Sequence, residues 1–288
     1  MNTEVLEKFW YWIRAREQIR ILKDKHPEGI EGGYSHDPIL NTYHFCNVRR
    51  EDDRGTIEIR DVVRHYFPME ESDVATISCL PTIYLMARLF NWAPTLARVL
   101  ESTDLGLSIP EAFQELKDYR DENPGAKIFH PAYVVSTAGK QMDKIDYVRD
   151  MVLAAQRVII PTDSLANAHA ALSSISGLGG TGFLAAQVVA DLRNDRYLEA
   201  AAAHQDWCSP GPGSIQGLDF IWNGNGNTSK SNFMLRIAAL YDDMPDDIWG
   251  MELHAQDLQN CLCEFGKYMR LSNPRLKSRK RYFRREKV

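Results

Sequence analysis

The stretch that decides the fold is Leu172-Ser-Ser-Ile-Ser-Gly-Leu-Gly-Gly-Thr-Gly-Phe-Leu-Ala-Ala-Gln-Val-Val-Ala-Asp-Leu192. At its centre, Leu178-Gly-Gly-Thr-Gly182 separates two apolar segments of helical composition. Glycine adopts positive φ at little steric cost, so such a segment can turn the chain sharply between two helices. Ala186, Val188 and Val189 then supply small and apolar side chains where the second helix crosses the first.

An apolar residue, a tight glycine turn and a small-residue crossing are typical of a helix–hairpin–helix element. In such an element, backbone N–H groups at the start of the second helix approach a phosphate oxygen. Gly180, Thr181 and Gly182 are therefore the predicted contacts to a DNA backbone, which position DNA without reading its sequence. One alternative is a helix connection that binds nothing. A Rossmann-like loop is the other, and the absence of a preceding apolar strand or a βαβ pattern argues against it.

Helical periodicity dominates the rest of the chain, and strand-like segments are sparse. Asp37-Pro38 has the residues of a helix start, with aspartate as the cap and proline at the first helical position. Helices are predicted at 3–24, 38–54, 57–66, 75–91, 93–102, 108–121 and 142–158, whereas 127–140 is the one stretch that could be extended. The predicted fold is mostly α, with two closely packed helical lobes.

Charge is distributed unevenly along the chain. Residues 275–288 carry eight of the 34 Lys and Arg residues but only one of the 39 acids, so a basic tail follows an acidic body. The predicted organisation is one helical domain at 1–274 and a basic tail at 275–288. A basic block suits phosphate or an acidic partner, although a solvated tail that aids solubility is an equal alternative.

Composition excludes several classes of protein. No apolar run is long enough to span a bilayer, and the first residues lack the pattern of a signal peptide. Five cysteines without a CxxC pair argue against a disulfide framework or a zinc ribbon, so free thiols in a reducing cytoplasm are expected. Because no His/Asp/Glu cluster has ligand spacing, neither a metal nor a cofactor is predicted.

Asp206 follows the hairpin by 24 residues, counted from Gly182. A hairpin with an aspartate shortly after it resembles the helix–hairpin–helix DNA glycosylase superfamily, in which that aspartate lies at the mouth of the base pocket. The gap here is longer than in the repair glycosylases. Leu184 stands where bifunctional glycosylases have lysine, which disfavours a Schiff-base lyase.

Further segments resemble one branch of that superfamily, the phage amino acid:DNA transferases, also called α-glutamyl/putrescinyl-thymine pyrophosphorylases. A related helical domain occurs in phage 5-hydroxymethyluracil DNA kinases. The matching segments are Phe9-Trp10, Arg16-Glu17, Ile19-Arg20, Asp37–Leu40, Tyr43–Arg50, Asp53-Arg54, Ala132–Val135, the hairpin, Asp206, Gly211-Pro-Gly213, Gly217-Leu218, Asp257–Gln259 and Leu262–Tyr268. The chain contains no P-loop motif GxxxxGK[S/T], and this absence favours the stand-alone transferase over the kinase.

The resemblance implies that the protein displaces pyrophosphate from 5-pyrophosphoryloxymethyl-uracil in double-stranded DNA, using the amine of glycine, glutamate or a polyamine. Such an enzyme works downstream of a hydroxymethyluracil DNA kinase. An ammonium must lose a proton to become a nucleophile, and a carboxylate is a natural acceptor. Asp206 is the first candidate for this catalytic role, followed by Asp37 and Glu17.

Arginine guanidinium groups can bind the leaving pyrophosphate, and Arg49, Arg50 and Arg54 lie in one short segment. The predicted pocket for the base and the amine comprises Tyr43, Phe45, Asn47, Tyr133, Gly211, Gly213, Asp257 and Glu264. Each also has a purely structural interpretation, and Asp37 can be only a helix cap. Glu17 and Glu264 can pair with Arg20 and Lys267, each three residues further on.

Two other functions remain open at this point. A DNA glycosylase that excises a modified base would need only the hairpin and Asp206. A non-catalytic DNA-binding helical module would need only the hairpin and the basic tail.

Overall fold

A computed structural model describes residues 1–68, 74–131, 135, 137, 139–178, 182–201, 207–222 and 230–273. The described residues form α-helices, short 3₁₀ turns and loops, with no β-strand among them. The mostly α prediction is therefore confirmed. None of the described helices is long and apolar enough to cross a membrane. Tyr133, Gly180, Thr181, Asp206 and the tail at 275–288 lie outside the described residues.

Along the chain the described helices are α1 (Thr3–Lys25), α2 (Pro38–Thr42), α3 (Arg54–Tyr66), α4 (Val74–Phe90), α5 (Ala93–Asp104), α6 (Ile109–Glu122), α7 (Lys144–Ala155), α8 (Leu165–Ser173), α9 (Phe183–Arg193), α10 (Pro212–Ile221), α11 (Lys230–Asp242), α12 (Asp246–Trp249) and α13 (Ala255–Ser272). They belong to two compact units. Unit 1 combines Met1–Asp53 with His204–Val288, and unit 2 is Arg54–Ala203. Unit 2 is thus inserted between the two chain segments of unit 1.

The core of unit 1 forms around α1, α10 and α13. Phe9 and Trp12 of α1, Leu218 of α10 and Phe265 of α13 are fully buried in it. Each of these helices buries an apolar face against the others, which is the main stabilisation available to a helical fold. Leu240 of α11 and other apolar side chains complete the cluster.

Helices α10 and α13 cross closely because glycine occupies the crossing. A side chain at Gly217 would collide with the main chain of Leu262, and one at Gly213 would collide with the Sγ of Cys263. Gly211 donates its backbone N–H to Ser214 Oγ at 3.0 Å. Gly213 therefore has a packing role here, and whether it also lines a ligand pocket stays a prediction.

In unit 2, α8 and α9 lie on either side of the glycine-rich segment, of which residues 179–181 lie outside the described residues. Gly177 has φ of 97° and Gly182, the N-cap of α9, has φ of 70°, both in the region that favours glycine. Leu178 is buried between them, and His169 donates a hydrogen bond to the carbonyl of Gly182 at 3.0 Å. The two predicted helices and the positive φ of Gly177 and Gly182 are therefore present, whereas the hairpin itself and its contact with DNA stay predictions.

The prediction of one helix at 38–54 is wrong. Helix α2 ends at Thr42, the chain is irregular from there to a 3₁₀ turn at Arg50–Asp52, and α3 begins at Arg54. The aspartate and proline at its start do form the predicted cap. Side chains from distant parts of unit 1 bind the backbone of residues 44–50, and they replace the helical hydrogen bonds.

Candidate functional site

The irregular segment at residues 43–53 is held by side chains from α1 and α13. Buried Arg16 of α1 donates to the carbonyl of Phe45 at 2.9 Å and to that of Cys46 at 3.2 Å. From α13, Glu264 accepts the N–H of Cys46 at 3.2 Å, and Lys267 donates to the carbonyl of His44. These contacts satisfy backbone groups that a helix would otherwise have paired internally.

Asn47 and Asp53 close the segment into a loop. The backbone N–H of Asn47 donates to Asp53 Oδ1 at 2.8 Å, and its side-chain amide donates to the carbonyl of Asp52 at 2.7 Å. Burial raises the pKa of Asp53 to about 6, although the Asn47 hydrogen bond and the charge of Arg50 oppose the shift. Asp53 is thus a carboxyl group that can exchange a proton near neutral pH.

Asp257 fixes the other end of this segment to the start of α13. Its two oxygens accept the backbone N–H groups of Arg50 and His254, each at 3.1 Å, and its side chain is buried. One of these bonds caps α13 and the other anchors residue 50. The predicted pocket residue Asp257 therefore has a structural role that accounts for both of its oxygens.

A cleft of about 350 Å³ lies in unit 1 beside this segment. Glu17 and Ile21 of α1 form one wall, Val48 and Arg49 form another, and residues 250–253 form the third. Two residues from the sequence-based set, Glu17 and Arg49, therefore share one cleft. Its volume is near the lower end for small-ligand sites, which suits a ligand the size of a single base.

Charged side chains at the cleft form a connected network. Glu17 pairs with Arg20 at 2.5 Å, and Arg20 also lies 3.4 Å from Asp52. The Nε of Arg49 donates to Asp52 Oδ2 at 3.2 Å. Hydrogen bonding to Glu17 and the nearby acidic charges raise the pKa of Arg20. Arg20 thus stays cationic and holds the Glu17 carboxylate in place.

The backbone at the rim of the cleft is strained at Glu252. This residue has φ of 53°, in the left-handed region that non-glycine residues rarely occupy. Its side chain is exposed, so no close packing of the side chain explains the conformation. Strain of this kind often accompanies a functional site.

The remaining predicted residues have identifiable partners. Asp37 caps α2 by accepting the N–H of Ile39 at 2.8 Å, and its other oxygen accepts the Tyr268 hydroxyl at 2.7 Å. Phe45 is buried edge-on against Trp12, with Tyr43 packed nearby against the same core. The Glu264–Lys267 pair forms, at 3.8 Å.

Arg54 belongs to the other unit. It is the first residue of α3 in unit 2, its side chain is 92% exposed, and it pairs with Glu58 at 2.7 Å. Arg49 and Arg50 thus lie in the segment of unit 1 that borders the cleft, whereas Arg54 belongs to unit 2.

Sequence reasoning did not single out three contributors to this site. Arg16 resembles any other arginine of an amphipathic helix, and Asp53 sits within a run of charges typical of a solvated surface. Nothing in the local sequence indicates that residues 250–253 meet α1. Among the described residues, no group of His, Cys, Asp and Glu side chains could hold a metal ion.

Comparisons with known proteins place this chain in a family. A family model described as "5-hmdU DNA kinase, helical domain" matches residues 3–278. A 5-hmdU DNA kinase of Bacillus phage SP10 is 24% identical over 307 aligned positions, which cover 93% of this chain and 46% of that protein. The chain thus spans about half the length of this relative. No solved structure matches the chain.

These matches overturn the functional predictions made from the sequence. The amino acid:DNA transferase is wrong, and so is a place downstream of the kinase, because the matched family is that of the kinase itself. The glycosylase alternative gains no support either. The missing P-loop misled the sequence analysis because the matched region is a helical domain, which need not contain that motif. The chain belongs to the 5-hmdU DNA kinase helical domain family.

Proposed function

We propose that this chain acts in the phosphorylation of 5-hydroxymethyl-2′-deoxyuridine in DNA and that it binds the modified base. The observation that carries this proposal is the family match over residues 3–278. The named activity of the relative from Bacillus phage SP10 supports it.

The cleft of unit 1 is the proposed site for the base. Ile21, Val48 and Met251 offer apolar surface to the faces of a pyrimidine ring. The Arg49 guanidinium offers donors to the ring carbonyl oxygens, and the Glu17 carboxylate accepts from N–H or O–H groups. A base must leave the duplex stack to enter such a cleft, which costs a few kcal/mol of unstacking.

Glu17 is the proposed acceptor of the substrate proton. As the hydroxymethyl oxygen forms its bond to the γ-phosphorus of a nucleoside triphosphate, the bond from that phosphorus to the β-bridging oxygen breaks. The hydroxyl proton passes to Glu17, and the nucleoside diphosphate leaves. An acidic residue that accepts the substrate hydroxyl proton is a recurring part of kinase sites.

The phosphoryl donor needs a site of its own. The 288 residues contain no GxxxxGK[S/T] motif, and the aligned relative is about twice as long as the matched region. We therefore propose that a further protein segment or partner contributes to donor binding.

The hairpin of unit 2 is the proposed contact to the DNA backbone. The N-terminus of α9 at Gly182 carries backbone N–H groups and a partial positive charge, both of which favour a phosphate. Gly180, Thr181 and the basic residues of 275–288 extend this proposal by sequence alone.

A binding competition tests the proposal. Two duplexes that differ only in one 5-hydroxymethyluracil or thymine are titrated with the protein, and the modified duplex is expected to bind at least about tenfold more tightly because polar groups of the cleft hydrogen-bond its hydroxyl. Ile21→Trp fills the cleft and should abolish this preference. Leu235→Trp, at an exposed position of α11, is the matched control. Equal affinity of the unaltered protein for both duplexes would refute the proposal.

Phosphoryl transfer is then followed by mass spectrometry of nucleosides from modified duplex, ATP and Mg²⁺, with the kinase of the phage relative as positive control. In a reaction that proceeds, Glu17→Gln should keep the binding preference and lower the rate by a factor of about 10² to 10⁴. An unchanged rate would remove Glu17 from the mechanism.

A further inference from the structure

Helix α3 in unit 2 carries two arginines for which no ion pair is found among the described residues. Arg60 and Arg64 lie four residues apart, so their side chains share one face of the helix. Each is half-buried, and the Nε atom of each is buried without a hydrogen-bond partner. Within the described part of the chain, neither arginine forms an ion pair, not even with Asp61 of the same helix.

The two buried carboxylates nearby already accept hydrogen bonds from other side chains. Buried Asp191 accepts two hydrogen bonds from Arg88, one of them from Nε at 2.5 Å. Buried Asp195 accepts the hydroxyl of Tyr84 at 2.7 Å. A small opening of about 10 Å³ connects Arg60 with Thr56, Tyr84, Asp191 and Asn194. The charge of Arg64 reaches the same point, since it counteracts the rise in the pKa of Tyr84.

The placement of these two arginines lowers the stability of the fold unless an anion binds them. Two like charges at i and i+4 repel each other, and a buried guanidinium nitrogen without an acceptor loses hydration without compensation. A rearrangement of Asp191 or Asp195 would not help, because it would expose Arg88 or Tyr84 to the same loss. An external anion with several acceptor oxygens can bind the Nη atoms of both arginines and disturbs neither existing contact.

We infer that Arg60 and Arg64 form a phosphate-binding site on α3 of unit 2. Two arginines one helical turn apart present forked donors at a spacing that suits the tetrahedral oxygens of phosphate. Such a group is found in the DNA backbone and in the polyphosphate of a nucleotide. The inference does not depend on the proposed function, because it concerns affinity for phosphate and not the modified base or the reaction.

The test compares charge removal at this site with the same charge removal elsewhere in unit 2. The test variant is Arg60→Gln with Arg64→Gln. The matched control is Arg120→Gln with Arg149→Gln, because those arginines pair with Asp143 at 2.5 Å and with Asp146 at 2.9 Å. Arg60→Lys with Arg64→Lys keeps the charge and removes the forked geometry.

In the first arm, each protein is titrated with a thymine-containing duplex over a range of salt concentrations, and fluorescence anisotropy reports binding. If the site binds the DNA backbone, the test variant loses at least about tenfold in affinity, and the slope of log K against log salt falls in magnitude by about two. The lysine variant keeps the slope and regains only part of the affinity. The control variant behaves like the unaltered protein.

In the second arm, calorimetry measures binding of ATP and of inorganic triphosphate. If the site binds a polyphosphate, the dissociation constant of the test variant rises at least about tenfold and that of the control does not. Either arm alone supports the inference and identifies the source of the phosphate. If the test and control variants match in both arms, the inference is overturned.

Thermal melting shows that each variant is folded. Without any anion, the test variant is expected to melt no lower than the unaltered protein, because it loses the repulsion between the two charges and no ion pair or hydrogen bond of the described residues. These readouts use neither modified DNA nor phosphoryl transfer, so their failure is distinct from failure of the proposed function.

Discussion

Replacing Gly217 with alanine tests the close crossing of α10 and α13. The added Cβ would lie 2.7 Å from the carbonyl carbon of Leu262 and 3.1 Å from its Cα. Carbon atoms in van der Waals contact are about 3.5–4.0 Å apart, so the shortfall is roughly 1 Å. Both opposing atoms are main chain and cannot rotate away. The two helices must therefore separate along their whole contact.

The expected loss is about 2 kcal/mol in the free energy of unfolding of unit 1. Overpacking of this kind costs about 1–3 kcal/mol, and the better helix propensity of alanine returns about 0.5–1 kcal/mol. The net loss of unfolding free energy thus lies between about zero and somewhat more than 2 kcal/mol. Because the new Cβ meets rigid main-chain atoms, we expect a value toward the upper limit.

Urea unfolding followed by tryptophan fluorescence measures this loss, since Trp10 and Trp12 are buried in the core of unit 1. Gly55→Ala is the matched control, because a Cβ there meets no atom within 4 Å and should leave stability equal or higher. If Gly217→Ala unfolds at the same urea concentration as the unaltered protein, the crossing is not limited by that glycine and the reasoning fails.

Three further predictions concern single side chains. Burial raises the pKa of Asp53 to about 6, so the folded protein binds this proton more tightly than the unfolded chain does. The resulting contribution to the free energy of unfolding is fully present below about pH 4 and is lost as the pH rises through 6. Asp53→Asn should therefore flatten the pH dependence of urea unfolding by about 2 kcal/mol between pH 4 and 7.5, and an unchanged profile would exclude Asp53 as its source. Asp191→Asn should lower the free energy of unfolding by about 3–5 kcal/mol, because it leaves the buried Arg88 without its carboxylate. Asp150→Asn, which removes a surface partner of Arg149, should lower it by less than about 1 kcal/mol. Similar urea midpoints for both variants would count against a buried ion pair. Glu252→Gly should raise the melting temperature by relieving about 1 kcal/mol of backbone strain, and a lower value would mean that its conformation is not strained.

Elements that depend on local sequence were predictable. The positive φ of Gly177 and Gly182, the aspartate cap of α2 and most helix bounds follow from residues within one or two turns of each other. The i,i+3 pair of Glu17 with Arg20 was likewise foreseen as a structural alternative, and it forms at 2.5 Å.

The loop at residues 43–53 was not predictable, because its causes lie elsewhere in the chain. Its local sequence is compatible with a helix, yet Glu264 and Lys267, more than 200 residues away, bind its backbone. The cleft depends on the same kind of distant contact, since residues 250–253 complete a wall that begins with Glu17. Candidate carboxylates could be named from the sequence, but their partners could not.

The prediction of a transferase in place of a kinase was wrong for a different reason. The segments that the sequence analysis attributed to the transferase all lie within residues 3–278, which match the kinase helical domain, so they did not support the transferase over the kinase. The missing P-loop motif decided the matter wrongly, because it concerns nucleotide binding and the matched region is the helical domain.

The insertion of unit 2 into unit 1 also sets the order in which the nascent chain can mature. Residues 54–203 are continuous, so unit 2 can fold once they have left the ribosome. Helix α1 instead waits for α10 and α13, which begin at residues 212 and 255. At about 5–20 residues per second, that delay is on the order of ten seconds or more. Throughout it, the apolar face around Phe9 and Trp12 has no partner from the C-terminal segment, so chaperone binding during synthesis should concentrate on the first helix.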